Sequence, residues 1–208
     1  DFELLKTRSE EVAAMDNIRL TIMAAFNVLS ITSFKEMLQW VYELKIAHNP
    51  NNSIATTAEK TGFKIGNKDF VNHKIKNKSH MVTVSLDIPY LRHPEQFDAH
   101  FATHQLVEDY LLPAIEYMGA NSITEGWPLP GGFDTHELEK LTRIVNHRLF
   151  FNRKNDPERE THKDILIARA KFYDYINNLD KRRNTDFLSV FPEMTEFYTA
   201  CKQARDGL

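Results

Sequence analysis

The sequence contains little cysteine and little glycine. Its 208 residues include one cysteine, Cys201, and seven glycines. A single thiol excludes a disulfide within the chain and a metal cluster held by several of its own cysteines, and it favours a reducing compartment such as the cytoplasm. The glycines form no phosphate-cradling loop, and no Gly-x-Ser-x-Gly motif is present. No apolar run approaches the roughly 20 residues of a membrane span, and no signal peptide is recognisable.

The rest of the composition is that of a folded domain. Hydrophobic residues make up 42% of the chain, charged residues make up 26%, and the net charge is −3. This balance argues against disorder, and the absence of an overall basic charge argues against a dedicated nucleic-acid binder. The chain starts at Asp1, within a helical pattern and without an initiator Met. We therefore expect a piece of a longer protein.

The front half of the chain reads as strand, helix and strand. Residues 2–15 have helical periodicity and end at Asp16-Asn17, and residues 18–26 form an apolar, partly β-branched run that predicts a strand buried on both faces. A helix to about Lys45 follows, and residues 81–88 predict a second strand that Pro89 ends. This order is typical of a parallel α/β sheet. Residues 48–80 are a polar insertion, with one hairpin or none.

The back half is predicted to be helical. Helical patterns cover residues 96–118, with a break near Pro113, and then 135–153, 161–179 and a last helix from Pro192. A Gly-Pro loop at 120–133 separates the first from the second, and Asp134 with Glu137 marks a helix start. We therefore predict an α/β portion at 1–118, containing the insertion at 48–80, and a helical carboxyl-terminal extension at 119–208.

Two polar residues at the predicted strand ends are the main candidates for ligand contact. Asn27 ends the first strand and Asp87 the second, and the carboxyl ends of parallel strands face the ligand in α/β folds. A carboxylate at Asp87 suits a ribose hydroxyl or a cationic substrate. The alternative is that Asn27 caps a turn and that Asp87 is a turn residue before Pro89.

Weaker candidates lie further along the chain. His100, His104 and Glu108 are spaced four apart on a predicted helix, a spacing that can chelate zinc, but the catalytic Glu of a zinc-protease motif is missing and we predict no metal site. Basic clusters at 143–154 and 181–183 suit phosphate or an acidic partner, or are solvated helix ends. Trp127 either contacts a partner or anchors its loop, and Cys201 is interpreted as a core residue.

Three stretches together resemble a known family. They are the strand-turn-helix from Ile18 to Leu44 with Phe26-Asn27-Val28-Leu29-Ser30 at its turn, the run Ile88-Pro89-Tyr90-Leu91-Arg92-His93-Pro94, and the carboxyl-terminal segment from Phe172 to Glu193. That last segment joins an aromatic helix, Asp180 with Lys181-Arg182-Arg183, and Phe191-Pro192-Glu193. In this order they are similar to the last part of radical S-adenosylmethionine enzymes of the twitch or SPASM-like branch.

The resemblance implies a partial parallel β/α barrel, or partial TIM barrel, of which this chain supplies the last strands and a helical extension. It implies S-adenosylmethionine and a [4Fe–4S] cluster in the parent protein, with Asn27 and Asp87 on the far wall of the cofactor and substrate cavity. The family's Cys-x3-Cys-x2-Cys loop is absent here, so the fragment is expected to be inactive on its own. Its expected partners are the missing amino-terminal half and an unknown substrate, either a peptide or a small molecule. The alternative is a non-catalytic α/β interaction module that binds a protein or an acidic partner.

Overall fold

The computed structural model describes residues 2–15, 18–49, 84–122, 132–146 and 161–208, and the backbone of strands at 58–65 and 68–75. The described part is mostly helical with two small sheets. The α-helices are α1 (Phe2–Ala13), α2 (Phe34–His48), α3 (His104–Leu106), α4 (Leu112–Ala120), α5 (Thr135–Ile144), α6 (Lys163–Arg183), α7 (Phe187–Val190) and α8 (Thr195–Asp206). The strands are β1 (Leu20–Met23), β2 (Ala58–Ile65), β3 (Lys68–Ile75) and β4 (Val84–Asp87).

The chain divides into two compact units. The first comprises Asp1–Ala24, Lys35–Pro89 and Pro113–Arg143, and the second comprises Ala25–Phe34, Tyr90–Leu112 and Ile144–Leu208. The division predicted at residue 118 stays a prediction.

The first unit contains the parallel sheet. β1 pairs with β4 in parallel, with Leu20 opposite Val84 and Met23 opposite Asp87. This confirms the prediction that the two apolar runs lie parallel within one sheet, although β1 is shorter than the predicted 18–26. In the described residues the sheet has these two strands and does not extend into an arc of a barrel.

The prediction that β1 is buried on both faces is wrong for this chain. Leu20 and Ile22 are partly buried, whereas Thr21 is exposed and Met23 is 67% exposed. The alternation arises because successive side chains point to opposite faces of a strand. In the described part of the chain only one of these faces is covered.

The polar insertion contains a hairpin. β2 and β3 pair antiparallel from Ala58 opposite Ile75 to Ile65 opposite Lys68. The sequence left a hairpin open as one of two interpretations, and the backbone decides for it. The remaining insertion residues, 50–57, 66–67 and 76–80, lie outside the described part, as do Asp16-Asn17 and residues 81–83 of the predicted second strand.

The helix predicted to break near Pro113 instead continues through it. A π-helical turn, Val107–Leu111, joins α3 to α4, and the Leu112 amide bonds to the carbonyl of Val107. Proline has no amide hydrogen and disturbs the regular hydrogen-bond ladder of a helix. In a π turn each amide bonds to the carbonyl five residues earlier, whereas in an α-helix it bonds to the carbonyl four residues earlier. This wider hydrogen-bond spacing lies directly before Pro113, and the chain stays helical to Ala120.

The second unit is built around aromatic side chains. Phe101, Phe172 and Phe197 are almost completely buried, with ring centroids 5.3–6.0 Å apart. Phe172 lies on α6 and Phe197 on α8, so these rings join the two longest helices of the unit. The helices predicted at 161–179 and from Pro192 are confirmed, with α7 as an additional short helix between them.

Candidate functional site

The outer edge of β4 is closed by side chains of the first unit. The Asn49 side chain, directly after α2, accepts a hydrogen bond from the Val84 amide at 2.7 Å and donates one to the Val84 carbonyl at 3.1 Å. Two residues further along β4, the Leu86 amide donates to Glu137 Oε1 at 2.7 Å. The outward amides of Val84 and Leu86 and the outward carbonyl of Val84 are therefore already satisfied by Asn49 and Glu137.

Glu137 has a second role at the start of α5. Its amide donates to Asp134 Oδ1 at 2.9 Å, and the Asp134 amide donates to Glu137 Oε2 at 2.8 Å. This is the reciprocal capping pattern that the sequence predicted from Asp134 and Glu137, and it is confirmed. The capping carboxylate is also the one that bonds β4, so the helix start and the strand edge are fixed by one side chain.

The charge of Glu137 is balanced by a buried lysine on α2. Lys45 Nζ lies 2.5 Å and 2.7 Å from the two carboxylate oxygens of Glu137, and the two side chains are only 2% and 3% exposed. Lys45 Nζ also lies 5.4 Å from the ring centroid of Phe133. A fully buried ion pair is tolerated when its remaining hydrogen-bonding capacity is used, as the two backbone amides do here.

Sequence reasoning missed Lys45, although a signal was present. Phe34, Leu38, Val41 and Lys45 recur at the spacing of one helix face, and the three apolar members are buried. A lysine on an apolar stripe has to find a partner or change its protonation state. The helical pattern does not reveal which residue that partner is, because Glu137 lies far from Lys45 along the chain.

Asp87, a predicted ligand residue, forms an ion pair at the carboxyl end of β4. Its Oδ1 accepts a hydrogen bond from Lys140 Nζ on α5, one turn beyond Glu137. The two side chains are 32% and 31% exposed, so solvent reaches both. The hydrogen bond from Lys140 lowers the pKa of Asp87 against a smaller opposing effect of burial. A paired, solvent-reachable carboxylate and ammonium can bind a ligand that carries both charges.

Asn27, the other predicted ligand residue, belongs to the second unit and caps a short helical turn. Its side-chain oxygen accepts a hydrogen bond from the Leu29 amide at 2.9 Å, and its amide nitrogen donates to the Ala25 carbonyl at 3.1 Å. The Asn27 main-chain amide donates to Ser30 Oγ at 3.0 Å. The turn-capping interpretation accounts for these contacts. A primary amide still has capacity for one more donated and one more accepted hydrogen bond.

A second polar cluster in this unit centres on the buried Asp98. Its Oδ1 accepts hydrogen bonds from the Tyr90 hydroxyl and from the His100 amide, and it lies 3.1 Å from His100 Nδ1. Burial would raise the pKa of Asp98, but the hydrogen bonds from His100 and Tyr90 together outweigh it and hold the pKa below its ordinary value. Sequence reasoning did not single out this carboxylate.

The lowered pKa predicts a pH-dependent contribution of Asp98 to stability. The ionised form is favoured in the folded state, so the stabilisation is present above the ordinary aspartate pKa of about 3.9 and is lost as the pH falls through the folded value. Asp98→Asn should lower the free energy of unfolding by about 1.5–3 kcal/mol at pH 7. Urea denaturation of both proteins between pH 7 and pH 3 measures this difference, which should shrink below about pH 4.

Asp174 offers a matched control for this experiment. It accepts hydrogen bonds from Arg205 at 3.0 Å, but both side chains are about half exposed. Asp174→Asn should change the stability by less than about 1 kcal/mol. A difference between wild type and Asp98→Asn that stays constant down to pH 3 would contradict the assigned role of the Asp98 charge.

The histidine pattern predicted on one helix is interrupted. His100 lies in the 3-10 turn Ala99–Phe101, Thr103 caps α3, and His104 is the first residue of that helix. The spacing therefore does not create one continuous helical face. No group of three His, Cys, Asp or Glu side chains with the geometry of a metal site occurs among the described residues.

The structure describes some of the remaining candidate functional residues, and others lie outside its described part. Cys201 is completely buried, and burial raises the pKa of its thiol to about 12, which agrees with its interpretation as a core residue. Lys181, Arg182 and Arg183 are exposed at the end of α6. Trp127 and the basic residues at 147–154 lie outside the described part of the chain.

Comparison with protein-family models, with curated proteins and with solved structures finds no match to this chain. The described helices include none that is both long enough and apolar enough to cross a bilayer.

Proposed function

We propose that this chain is the carboxyl-terminal portion of a radical S-adenosylmethionine protein that acts in the cytoplasm. In this proposal it supplies the last strands of a partial parallel β/α barrel, part of the far wall of the cofactor and substrate cavity, and a helical extension. The ordered resemblance of three segments motivates the proposal. The chain on its own would not be an active enzyme.

The observation that carries the proposal is the parallel pairing of β1 with β4. Parallel strands need a long crossover connection, and α2 lies in the connection here. The closure of the outer β4 edge by Asn49 and Glu137 adds support, because the last strand of an open barrel has to end its sheet. Both features are those expected of the final two strands of such a barrel.

The proposed ligand residues have suitable chemistry. Asp87 and Lys140 offer a carboxylate and an ammonium at the carboxyl end of β4. S-adenosylmethionine carries an amino group, a carboxylate and ribose hydroxyls, so each charge of the pair has a complementary group on the cofactor. Asn27 can donate and accept one further hydrogen bond each.

The residues of this chain do not themselves fit an iron–sulfur cluster. Such a cluster takes several cysteine thiolates, and the single Cys201 is completely buried with a raised pKa. The cluster of the proposed parent would therefore be held by a Cys-x3-Cys-x2-Cys loop outside these residues.

The gene provides the first test. Sequencing the reading frame upstream of the codon for Asp1 should show a Cys-x3-Cys-x2-Cys loop in frame with this chain. The protein expressed from that frame should bind S-adenosylmethionine in equilibrium dialysis. A complete reading frame without the three-cysteine loop would refute the proposal and leave the non-catalytic interaction module as the remaining hypothesis.

Substitutions in the protein expressed from that frame test the two ligand residues. Asp87→Asn should weaken S-adenosylmethionine binding about 10-fold or more, because a hydrogen bond to a charged group contributes about 1.5–3 kcal/mol. Asn27→Ser should also weaken binding while keeping the turn, since serine is an equally good capping residue. Equilibrium dialysis with labelled cofactor measures both effects.

Asp174→Asn serves as the control for Asp87→Asn. It breaks a solvent-exposed carboxylate–cation pair that has no part in the proposed site, so it should leave the affinity for the cofactor unchanged. Unchanged affinity in Asp87→Asn and Asn27→Ser would remove both residues from the cofactor site.

A further inference from the structure

Helix α1 buries small side chains and exposes large apolar ones. Its buried residues are Ser9 and Ala13. Leu4, Leu5 and Met15, in contrast, are each half exposed or more. A surface helix normally has the opposite arrangement, because the burial of large apolar side chains is what holds it to the core. Large apolar side chains that share one exposed face mark a surface suited to a partner.

The inner face of α1 packs on α2 of the same unit. The Phe2 ring contacts Trp40 edge-on, with the ring centroids 5.4 Å apart. Phe2 and the buried Ser9 lie on one side of the helix. With 3.6 residues per turn, Leu4 and Met15 lie about 140° around the helix from these two residues. The exposed apolar residues therefore point away from α2.

The outward face carries a seam of four residues with the spacing of a coiled coil. Leu4, Arg8, Glu11 and Met15 follow one another at intervals of four, three and four residues. This is the spacing of the a and d positions of a heptad repeat. The Met15 amide bonds to the Val12 carbonyl at 3.1 Å, so the last turn tightens but continues to the end of the seam. The seam spans about 16–17 Å along the helix.

The order of these four residues is symmetric about the middle of the seam. Its two ends, Leu4 and Met15, are apolar, and its two central residues, Arg8 and Glu11, carry opposite charges. A two-fold axis through the middle would bring Leu4 of each copy to Met15 of the other and Arg8 of each copy to Glu11 of the other. A two-fold interface requires such a self-complementary surface. A parallel pair of helices would instead place like charges against each other, which is unfavourable.

The two central charges are accessible for this contact. Within one chain, Arg8 and Glu11 form an ion pair at 2.5 Å on the exposed side of the helix. Such a solvated pair contributes little to the stability of the single chain. Across the two-fold axis each charge keeps its neighbour and gains the opposite charge of the second copy, so that four charges alternate at the centre.

We propose that a second copy of this chain binds the seam, with the two α1 helices antiparallel about a two-fold axis. The contact is small, since three turns of one helix bury less than the roughly 800 Å² per partner of a standard interface. We therefore expect a reversible dimer with a dissociation constant of about 1–100 µM. The inference does not depend on the proposed function, because all of its residues lie on α1 and the turn that ends it.

Sedimentation velocity of the 208-residue chain over a range of concentrations tests the dimer. Arg8→Glu places carboxylates against each other across the axis, and Glu11→Arg places guanidinium groups against each other. Each variant should weaken dimerisation about tenfold or more, since like charges that meet across an interface repel. Both sites are exposed, so the thermal midpoint of the diluted monomer should change little.

The two variants should rescue each other. An equal mixture of Arg8→Glu and Glu11→Arg should form a heterodimer, because every carboxylate at the centre of one chain then meets a guanidinium of the other. The chain that carries both substitutions should again form a homodimer of about the original affinity. The mixture decides between the two explanations, since positions 8 and 11 within each of its chains still carry like charges. An effect confined to the single helix would not be rescued.

Two further variants separate the apolar contact from a general effect of charge. Leu4→Gln removes an apolar end of the seam without changing the charge and should also weaken the dimer. Lys202→Glu makes the same charge change as Arg8→Glu, at an exposed ion pair on α8, and should leave the affinity unchanged.

Three results would overturn the proposal. The first is a chain that stays monomeric at concentrations well above the expected dissociation constant. The second is a dimer that both single variants leave intact, or a mixture of them without heterodimer, since the contact would then lie elsewhere. The third is a monomer that cosediments with phosphatidylcholine vesicles and loses this binding in Leu4→Gln, which would assign the face to a lipid surface.

Discussion

Replacing Glu137 by alanine is expected to destabilise the folded chain by about 3–5 kcal/mol, the loss typical of removing one partner of a buried ion pair. The substitution leaves Lys45 as an unpaired charge with 2% side-chain exposure. It also removes the acceptor of the Leu86 and Asp134 amides. Urea denaturation with linear extrapolation measures the change in the free energy of unfolding.

A double-mutant cycle isolates the role of charge in this effect. Lys45→Met alone leaves a buried carboxylate without its cation, and Glu137→Gln alone leaves a buried ammonium without its anion. The combined variant removes both charges while glutamine can still act in the capping pattern. The double variant should therefore be more stable than the sum of the two single losses predicts, with a coupling of about 0.5–3 kcal/mol.

Glu139→Ala is the control for Glu137→Ala, since Glu139 is exposed on the same helix. Its effect should lie within about 0.5 kcal/mol of zero. A loss below about 1 kcal/mol for Glu137→Ala, or strict additivity in the cycle, would show that the buried pair does not hold α2, α5 and β4 together as described.

The buried ion pair also shows which features could be predicted from sequence. The capping role of Glu137 could be predicted because Asp134 and Glu137 are neighbours on one helical turn and their spacing is itself the signal. The contact with Lys45 could not, because it joins residues 92 positions apart in the sequence. Local patterns predicted the helices and the parallel strands, whereas the edge closure by Asn49 depends on tertiary packing.

The incorrect strand prediction has a related cause. An apolar, β-branched run is the pattern of a strand covered on both sides, and residues 18–26 have that pattern. Whether both faces are covered depends on neighbouring elements, and in the described part of this chain one face of β1 stays exposed. Residues 18–26 thus have the composition of a strand that is covered on both faces, but Met23 within this run is 67% exposed.

Replacing Phe172 by alanine is the second change with a large expected effect. The Phe172 ring is completely buried on α6, and its centroid lies 5.3 Å from that of Phe197 on α8 and 5.9 Å from that of Phe187 on α7. Truncating a buried phenylalanine costs about 3–5 kcal/mol, since apolar burial is lost and the cavity collapses only partly. Urea denaturation should show this loss.

The size of the cavity can be varied to test this cause. Phe172→Leu retains much of the side-chain volume and should cost less than Phe172→Ala, whereas Val190→Ala, at a site 63% exposed, should change the stability by no more than about 0.5 kcal/mol. Hydrogen exchange should show that Phe172→Ala reduces the protection of α6 and α8, because the ring lies between them. Equal losses for the alanine and leucine variants would mean that packing volume is not what joins these helices. The aromatic core would then have to act through the specific edge-to-face geometry of its rings, which leucine cannot reproduce.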